Sequence, residues 1–184
     1  MAVPGSDSEL LEKFRDPATK ESAYTALVKK YQEKLYWHIR RMVVQHEDTN
    51  DVLQNVFIRV WKGLENFRED AQLYTWLYRI ATNECLTFLE QRKRKSSVSF
   101  DDMEAELGNR VKADPHFDGN KLEWKLQLAI QQLPEKQKLV FNLRYFDEMP
   151  YEEMSRVLDT SEGALKASFH HAVKKVEEFM LRPE

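Results

Sequence analysis

Residues 150–174 read PYEEMSRVLDTSEGALKASFHHAVK, and their pattern decides how the rest of the chain is read. Pro150 opens a short helix with Glu152 and Glu153 in its first turn, where the helix dipole favours negative charge. Met154, Val157 and Leu158 form its apolar face. Asp159-Thr160-Ser161 then supplies a tight turn and a capping hydroxyl. In the longer helix that follows, Leu165, Phe169, Ala172, Val173, Val176 and Met180 share one side. Gly163, Ala167, His170, His171 and Lys174 share the other, with Lys166 beside them. A short helix, a tight turn and a second helix with a small, polar and basic outer face is the helix-turn-helix pattern. Small residues let such a helix approach the floor of a DNA groove, while Lys and His donate to bases and phosphates. Plain helical packing hairpins share the spacing, so this segment alone leaves both readings open.

Upstream, the same helical periodicity continues almost throughout. Leu122, Leu126, Ala129, Ile130 and Leu133 form a stripe that Pro134 stops, and Leu139, Val140, Leu143 and Phe146 mark the next helix. Nearer the start, residues 8–15 read as a short amphipathic segment and Asp16-Pro17 as the opening of a long helix to about Val44. Asp48 or Thr49 is expected to cap a third helix with Val52, Leu53, Val56, Phe57, Val60 and Trp61 on its core side. Residues 65–73 break the period. A fourth helix begins near Tyr74, carries Trp76, Leu77, Ile80, Ala81 and Cys85 on its stripe, and ends at Arg92-Lys93-Arg94-Lys95. Between the two helical blocks, residues 96–119 hold Asp101, Asp102, Glu104 and Glu106, then Gly108, Pro115 and Gly119, and read as a flexible acidic linker. The expected architecture is all-α. A helical bundle (1–95) and a helix-turn-helix domain (120–184) are joined by that linker (96–119).

Composition narrows the function classes. The 184 residues carry 28 Lys+Arg and 31 Asp+Glu, a net charge of −3, so the chain is not a general polyanion binder. The charge is uneven: residues 75–95 are +3 and residues 96–119 are −4. The basic run suits either phosphate binding or a solvated helix end whose charges complement the dipole. One cysteine, Cys85, excludes an intrachain disulfide and a Cys-based zinc cluster. Its place on an apolar stripe reads as core rather than nucleophile. His170 and His171 point about 100° apart as helix neighbours and have no third ligand nearby, so no metal is expected. No GxxxxGK[ST] loop, HExxH motif or paired-carboxylate site occurs, and no catalytic residue, cofactor or small-molecule substrate is expected. No apolar run approaches the roughly 18 residues that span a bilayer. The first seven residues lack the basic and apolar regions of a signal peptide, so a cytoplasmic chain is expected.

Five blocks in order carry a resemblance. Asp48-Thr-Asn-Asp51-Val52-Leu-Gln54-Asn-Val-Phe57-Ile-Arg-Val-Trp61 is the first, and Phe67-Arg68 with Trp76-Leu77-Tyr78-Arg79-Ile80-Ala81-Thr-Asn83 the second. Leu133-Pro134-Glu135-Lys-Gln137 with Leu143-Arg144-Tyr145-Phe146, Tyr151-Glu152-Glu153-Met154, and Ser161-Glu162-Gly163-Ala-Leu165-Lys166 complete the set. From about Tyr24 to Phe179 the chain resembles the extracytoplasmic-function (ECF) sigma factors, the small alternative sigma subunits of bacterial RNA polymerase.

The resemblance implies a protein that binds core RNA polymerase, directs it to promoter DNA and helps melt the minus-ten region. It implies that Asp48, Asp51, Gln54, Asn55 and Arg59 dock on the polymerase. Phe67, Arg68, Tyr74, Tyr78, Arg79, Asn83, Arg92, Lys93 and Arg94 would hold the minus-ten element, partly as a single non-template strand. Trp76 of the second block lies on the apolar stripe and reads as core. Tyr78 lies off it and reads as the surface candidate. Unstacking a base costs a few kcal/mol, which aromatic stacking and edge hydrogen bonds offset. Lys166, Ala167, His170, His171 and Lys174 would read the minus-thirty-five element. Ser168, His171 and Val173 stand where the family often carries Arg, which implies a weaker phosphate term and a smaller salt dependence. An anti-sigma factor is the further partner implied. Two promoter elements one to two turns apart lie roughly 35–70 Å from each other, and a 24-residue linker reaching roughly 80 Å can span them. The competing classes are a stand-alone helix-turn-helix regulator and a nucleic-acid enzyme. The polymerase-binding pattern in 1–95 argues against the first and the missing catalytic motifs against the second.

Overall fold

In the computed structural model, residues 5–95 and 100–183 are described. They form nine helices and a single 3₁₀ turn, with no strand among the described residues: α1 (Asp7–Arg15), α2 (Lys20–Val43), α3 (His46–Gly63), the turn Leu64–Asn66, α4 (Leu73–Lys95), α5 (Phe100–Ala113), α6 (Lys121–Gln131), α7 (Glu135–Tyr145), α8 (Tyr151–Leu158) and α9 (Glu162–Met180).

The stripes build the bundle. On α2, Ala23, Leu27, Tyr31, Leu35, Ile39 and Met42 are buried at three- and four-residue steps. They meet Leu10, Leu11 and Phe14 of α1, Val52, Val56 and Val60 of α3, and Leu77, Ala81 and Cys85 of α4. α2 ends at a sharp corner. Val44 has φ 74° and ψ −48°, a region a β-branched residue adopts only at a cost. Two arginines grip the corner, Arg40 donating to the Val44 carbonyl and Arg92 to that of Val43 at 3.3 Å. α3 starts three residues before the expected Asp48 cap, with Gln45 as N-cap. Asp48 therefore sits inside the first turn, where the dipole favours it, and Thr49 is buried with its hydroxyl on the Gln45 carbonyl at 2.6 Å.

The C-terminal block closes on its own smaller core of Ala129, Ile130, Leu133, Phe141, Ala172 and Val176. It does not stand apart. Leu139, Val140, Leu143, Met149, Met154, Val157 and Leu165 belong to the same buried cluster as the stripes of α2 and α4. α8 packs along α4, and α7 against α2.

The expectation of a loose linker across 96–119 is corrected here. Residues 100–113 are helical, and Leu107 and Val111 are buried. Charge fixes the helix as well. Arg40 reaches Glu106 at 3.4 Å, and Asp114, buried just past the end of α5, accepts from Arg41 at 3.3 and 3.4 Å. Arg110 lies wholly buried between Asp114 and Gln127, donating to Gln127 Oε1 at 2.9 Å. Burial draws its guanidinium down to about 10, with Asp114 opposing the shift. Composition showed the acidic residues but not that buried arginines await them. Residues 96–99 of the expected linker lie outside the described residues.

Candidate nucleic-acid interface

The helix-turn-helix forms where residues 150–174 place it. α8 ends on Asp159, whose left-handed backbone (φ 49°, ψ 48°) is a conformation Asp tolerates better than most residues. Ser161 then caps α9, its Oγ accepting from the Ala164 amide at 3.2 Å. Leu165, Ala172 and Val176 point inward. Lys166, Ala167, His170, His171 and Lys174 all lie exposed on the opposite side, and nothing within 4 Å would meet a side chain at Gly163. Lys166 Nζ rests 4.0 Å from Glu162 and 5.6 Å from the centre of the Tyr151 ring, so its charge is loosely held. The two histidine rings lie 6.0 Å apart and tilted, on adjacent parts of one surface. The result is a bare, basic and sterically low helix face, set on a core that fixes its orientation.

A second bare face lies on α3. Val52, Val56 and Val60 enter the core, while Asp51, Gln54, Asn55 and Arg59 are exposed. Beside them Tyr24, Val28, Gln54, Phe57, Ile58 and Trp61 line an apolar depression, and Ile58 is 47% exposed. Arg59 is ion-paired with Glu84 of α4. Asp48 departs from the group. It is half-buried, 3.9 Å from Arg92, and burial raises its carboxyl against the pull of that cation, so it ties α3 to α4.

The loop 67–72 and α4 divide the expected minus-ten residues in two. Arg68, Arg79 and Asn83 are exposed. Phe67 is not: it is 8% exposed and packs on Trp76 at 5.0 Å, which makes both rings part of the wall beneath the loop. The expectation for Tyr78 is also corrected. It is 1% exposed, and its hydroxyl donates to Asp147 Oδ1 at 2.9 Å. The residue is off the stripe that faces α2 and α3, but the C-terminal block covers that side as well. Tyr74 is half-buried 5.1 Å from Tyr78, and burial, with Asp147 and Glu153 nearby, raises its hydroxyl to about 12. The basic run is already engaged: Arg92 with Asp48, Lys93 with Glu135 at 2.7 Å, Arg94 with Glu90 at 2.6 Å.

Sequence reasoning missed the groups that do the covering. Asp147 lies in the loop between α7 and α8, and His38 of α2 faces its Oδ2 with Nδ1 at 3.9 Å. His38 is fully buried, with Nε2 on the Thr82 hydroxyl at 2.9 Å, and burial lowers it to about 3, so it is neutral. Glu153 of α8 accepts from Thr75 of α4. No motif announces these residues. Their partners are long-range, and periodicity carries only the local side of each contact.

The chain thus has two helical modules, one bearing a helix-turn-helix with a bare outer face and the other ending in a basic helix terminus. Residues 27–95 match the family model for sigma-70 region 2, and residues 123–176 that for sigma-70 region 4. The chain is 31% identical over 185 residues to the RNA polymerase sigma-H factor of Pseudomonas aeruginosa, covering 96% of this chain and 95% of that one. It is 31% identical over 180 residues to the ECF RNA polymerase sigma-E factor of Escherichia coli, covering 94% and 93%. In fold it is similar to CnrH in complex with the cytosolic domain of CnrY (TM-score 0.69, 19% identity, covering 96% of this chain and 97% of that chain). It is also similar to the sigma factor RpoE in complex with the anti-sigma factor NepR from Bartonella quintana (TM-score 0.65, 16% identity, covering 88% and 98%). The chain belongs to the ECF group of the sigma-70 family.

Proposed function

We propose that this chain is a promoter-selecting subunit of bacterial RNA polymerase, acting in the cytoplasm, with no catalytic site of its own. Residues 1–95 form the module that docks on core polymerase and handles the minus-ten element, and residues 120–184 the module that reads the minus-thirty-five element. The observation that carries this reading is the pair of bare faces on separate modules. Asp51, Gln54, Asn55 and Arg59 line one, and Lys166, Ala167, His170, His171 and Lys174 the other. A single DNA reader needs only the second. The sigma relatives and the family's resemblance give the first its use.

The minus-ten residues divide the work by chemistry, with Arg68, Arg79 and Asn83 exposed and Arg92 partly buried against Asp48. Arg68, Arg79 and the basic run from Arg92 to Arg94 supply phosphate contacts, and Asn83 offers a donor and an acceptor to a base edge. Tyr74 and Tyr78 join them as stacking surfaces only once uncovered, and Phe67 with Trp76 supports the loop from beneath. Melting follows if captured bases regain by stacking and hydrogen bonding what unstacking costs. Since the relatives of known structure are bound to CnrY and to the anti-sigma factor NepR, an anti-sigma partner is part of this reading.

Size-exclusion chromatography with core RNA polymerase tests it. The purified chain is expected to co-elute with polymerase at moderate salt, and Asp51→Arg, at an exposed position where folding is not at stake, is expected to abolish co-elution. A chain that ignores polymerase yet binds duplex DNA tightly alone would be a stand-alone regulator.

A further inference from the structure

The loop that the functional reading gives to the minus-ten strand is held by two sets of side chains. One set belongs to the loop's own surroundings. Phe67 packs on Trp76 at 5.0 Å, and a side chain at Gly63 would meet the same Trp76 ring at 3.0 Å. The other set comes from the elbow between α1 and α2, far back in the chain. Arg15, the last residue of α1, donates to Glu69 Oε1 at 3.0 Å. Lys20, the first residue of α2, is ion-paired with Glu65 in the 3₁₀ turn.

The elbow is built to stay in place. Asp16 accepts from the Ala18 amide at 2.9 Å, and the Thr19 hydroxyl donates to the Lys13 carbonyl at 2.7 Å. Lys20 Nζ lies 5.0 Å from the ring centres of both Phe14 and Trp61, a cation–π seat that restrains its long side chain. Trp61 in turn stands edge-on to Phe14 at 5.4 Å and to Tyr24 at 4.9 Å. The loop has no such framework, since residues 67–72 are neither helix nor strand. Charge explains why the ties form. Residues 64–72 hold Arg68 against Glu65, Glu69 and Asp70, a net −2, and Arg15 and Lys20 supply the two missing positive charges. Both cations lie ahead of all five sequence blocks that carry the family resemblance.

We propose that Arg15 and Lys20 are positioning residues for minus-ten selection, holding loop 67–72 in its selective shape through Glu69 and Glu65. The proposal rests on the functional reading for what the loop binds. A loop held in one shape loses less conformational freedom when it captures a base. Loosening it costs a matched strand most, because a mismatched strand makes few of the loop's contacts in any case. The ties therefore act on selectivity. They add little to the fold, since Arg15, Glu65 and Glu69 are all exposed.

The test uses polymerase holoenzyme formed with the full chain. A randomised pool of short fluorescent DNA single strands is bound, and sequencing of the retained strands gives the strand the unaltered chain prefers. Selectivity is the affinity for that strand divided by the affinity for the pool. Four chains close a cycle: the unaltered chain, Arg15→Glu, Glu69→Arg, and the two together. Each single variant sets like charges face to face and is expected to lower selectivity about fivefold, the upper range for one exposed pair. The double variant restores opposite charges and is expected to regain selectivity to within about twofold. Lys20→Met keeps the stem over the rings and is expected to lower selectivity about threefold. Co-elution with polymerase is expected to be unchanged in every variant. Single variants of unchanged selectivity overturn the proposal, as does a double variant no better than Arg15→Glu. A fall in both affinities with their ratio kept makes Arg15 a phosphate contact and overturns it too. An unaltered holoenzyme that prefers no strand overturns the reading of the loop itself, and the proposal with it.

Discussion

Asp147 shows what a single side chain carries in this molecule. It is almost wholly inside, and burial raises its carboxyl to about 6, against the hydrogen bond from Tyr78 and the positive pull of Arg41, His116 and Lys34. Tyr74 also faces it from α4 and His38 from α2. A carboxyl titrates near about 4 in the unfolded chain, so the folded chain binds this proton more tightly. The ionised group therefore weighs against folding above about pH 6, and that penalty fades as the pH falls toward 4. Asp147→Asn preserves the shape and the acceptor for Tyr78. It is expected to raise stability at neutral pH by on the order of 2 kcal/mol. Urea denaturation measures this, and the gain should shrink between about pH 7 and pH 5. An unchanged or lowered stability at neutral pH contradicts it. His38 works in the opposite sense: held neutral, it resists protonation that the unfolded chain accepts below about 6.5, so acid destabilises the fold through it. The wild-type profile sums both groups, and the difference between variant and wild type isolates Asp147. Nothing in the sequence near Asp147 signals any of this, because a carboxylate between an aromatic residue and a glutamate in a turn reads as solvent-exposed until α2 and α4 are placed over it.

At the level of the helices, the sequence was most legible where a local pattern is also the global answer. α9 is such a case: its apolar stripe, its serine cap and its bare side all follow from spacing within residues 161–180. α5 is the opposite case. Its acidic residues suggested a spacer, but Arg40 and Arg41 on α2, far away in the chain, supply the ion pairs that fold it down. α4 lies between, with one face readable from periodicity and the other, at Thr75 and Tyr78, set by contacts with α8 and the loop before it. A prediction belongs to α9 alone. Lys166→Ala with His170→Ala removes two donors from an exposed face without touching the core. Promoter-specific transcription in a reconstituted assay is expected to fall by about ten- to a hundredfold, since each contact to DNA is worth about 1–3 kcal/mol and the pair adds incompletely. Polymerase co-elution is expected to be unchanged. Loss of co-elution in this variant would show that the two faces do not divide the labour.

Taken whole, the molecule is two helical modules that share a core. The all-helical class and the order of the blocks were readable from stripes, caps and proline stops. The separation of the modules was inferred from composition at 96–119, and there it misled, since charge and glycine describe a segment's solubility and not what it lies against. Because Leu77 and Ala81 of α4 share one buried cluster with Met149, Met154 and Val157 of the loop and α8, the modules should not melt separately. Circular dichroism and tryptophan fluorescence are expected to report one coincident urea transition. Two transitions are expected in a Glu135→Lys, Glu153→Lys double variant, which removes the Lys93 ion pair and the Thr75 hydrogen bond from the shared boundary. Two in the wild type would mean that the boundary contributes little.

The helices that cover α4 are the last to be synthesised. Translation adds about 5–20 residues per second, so several seconds separate the completion of α4 from that of α9. During that interval each newborn chain carries the Thr75–Tyr78 face naked on the ribosome.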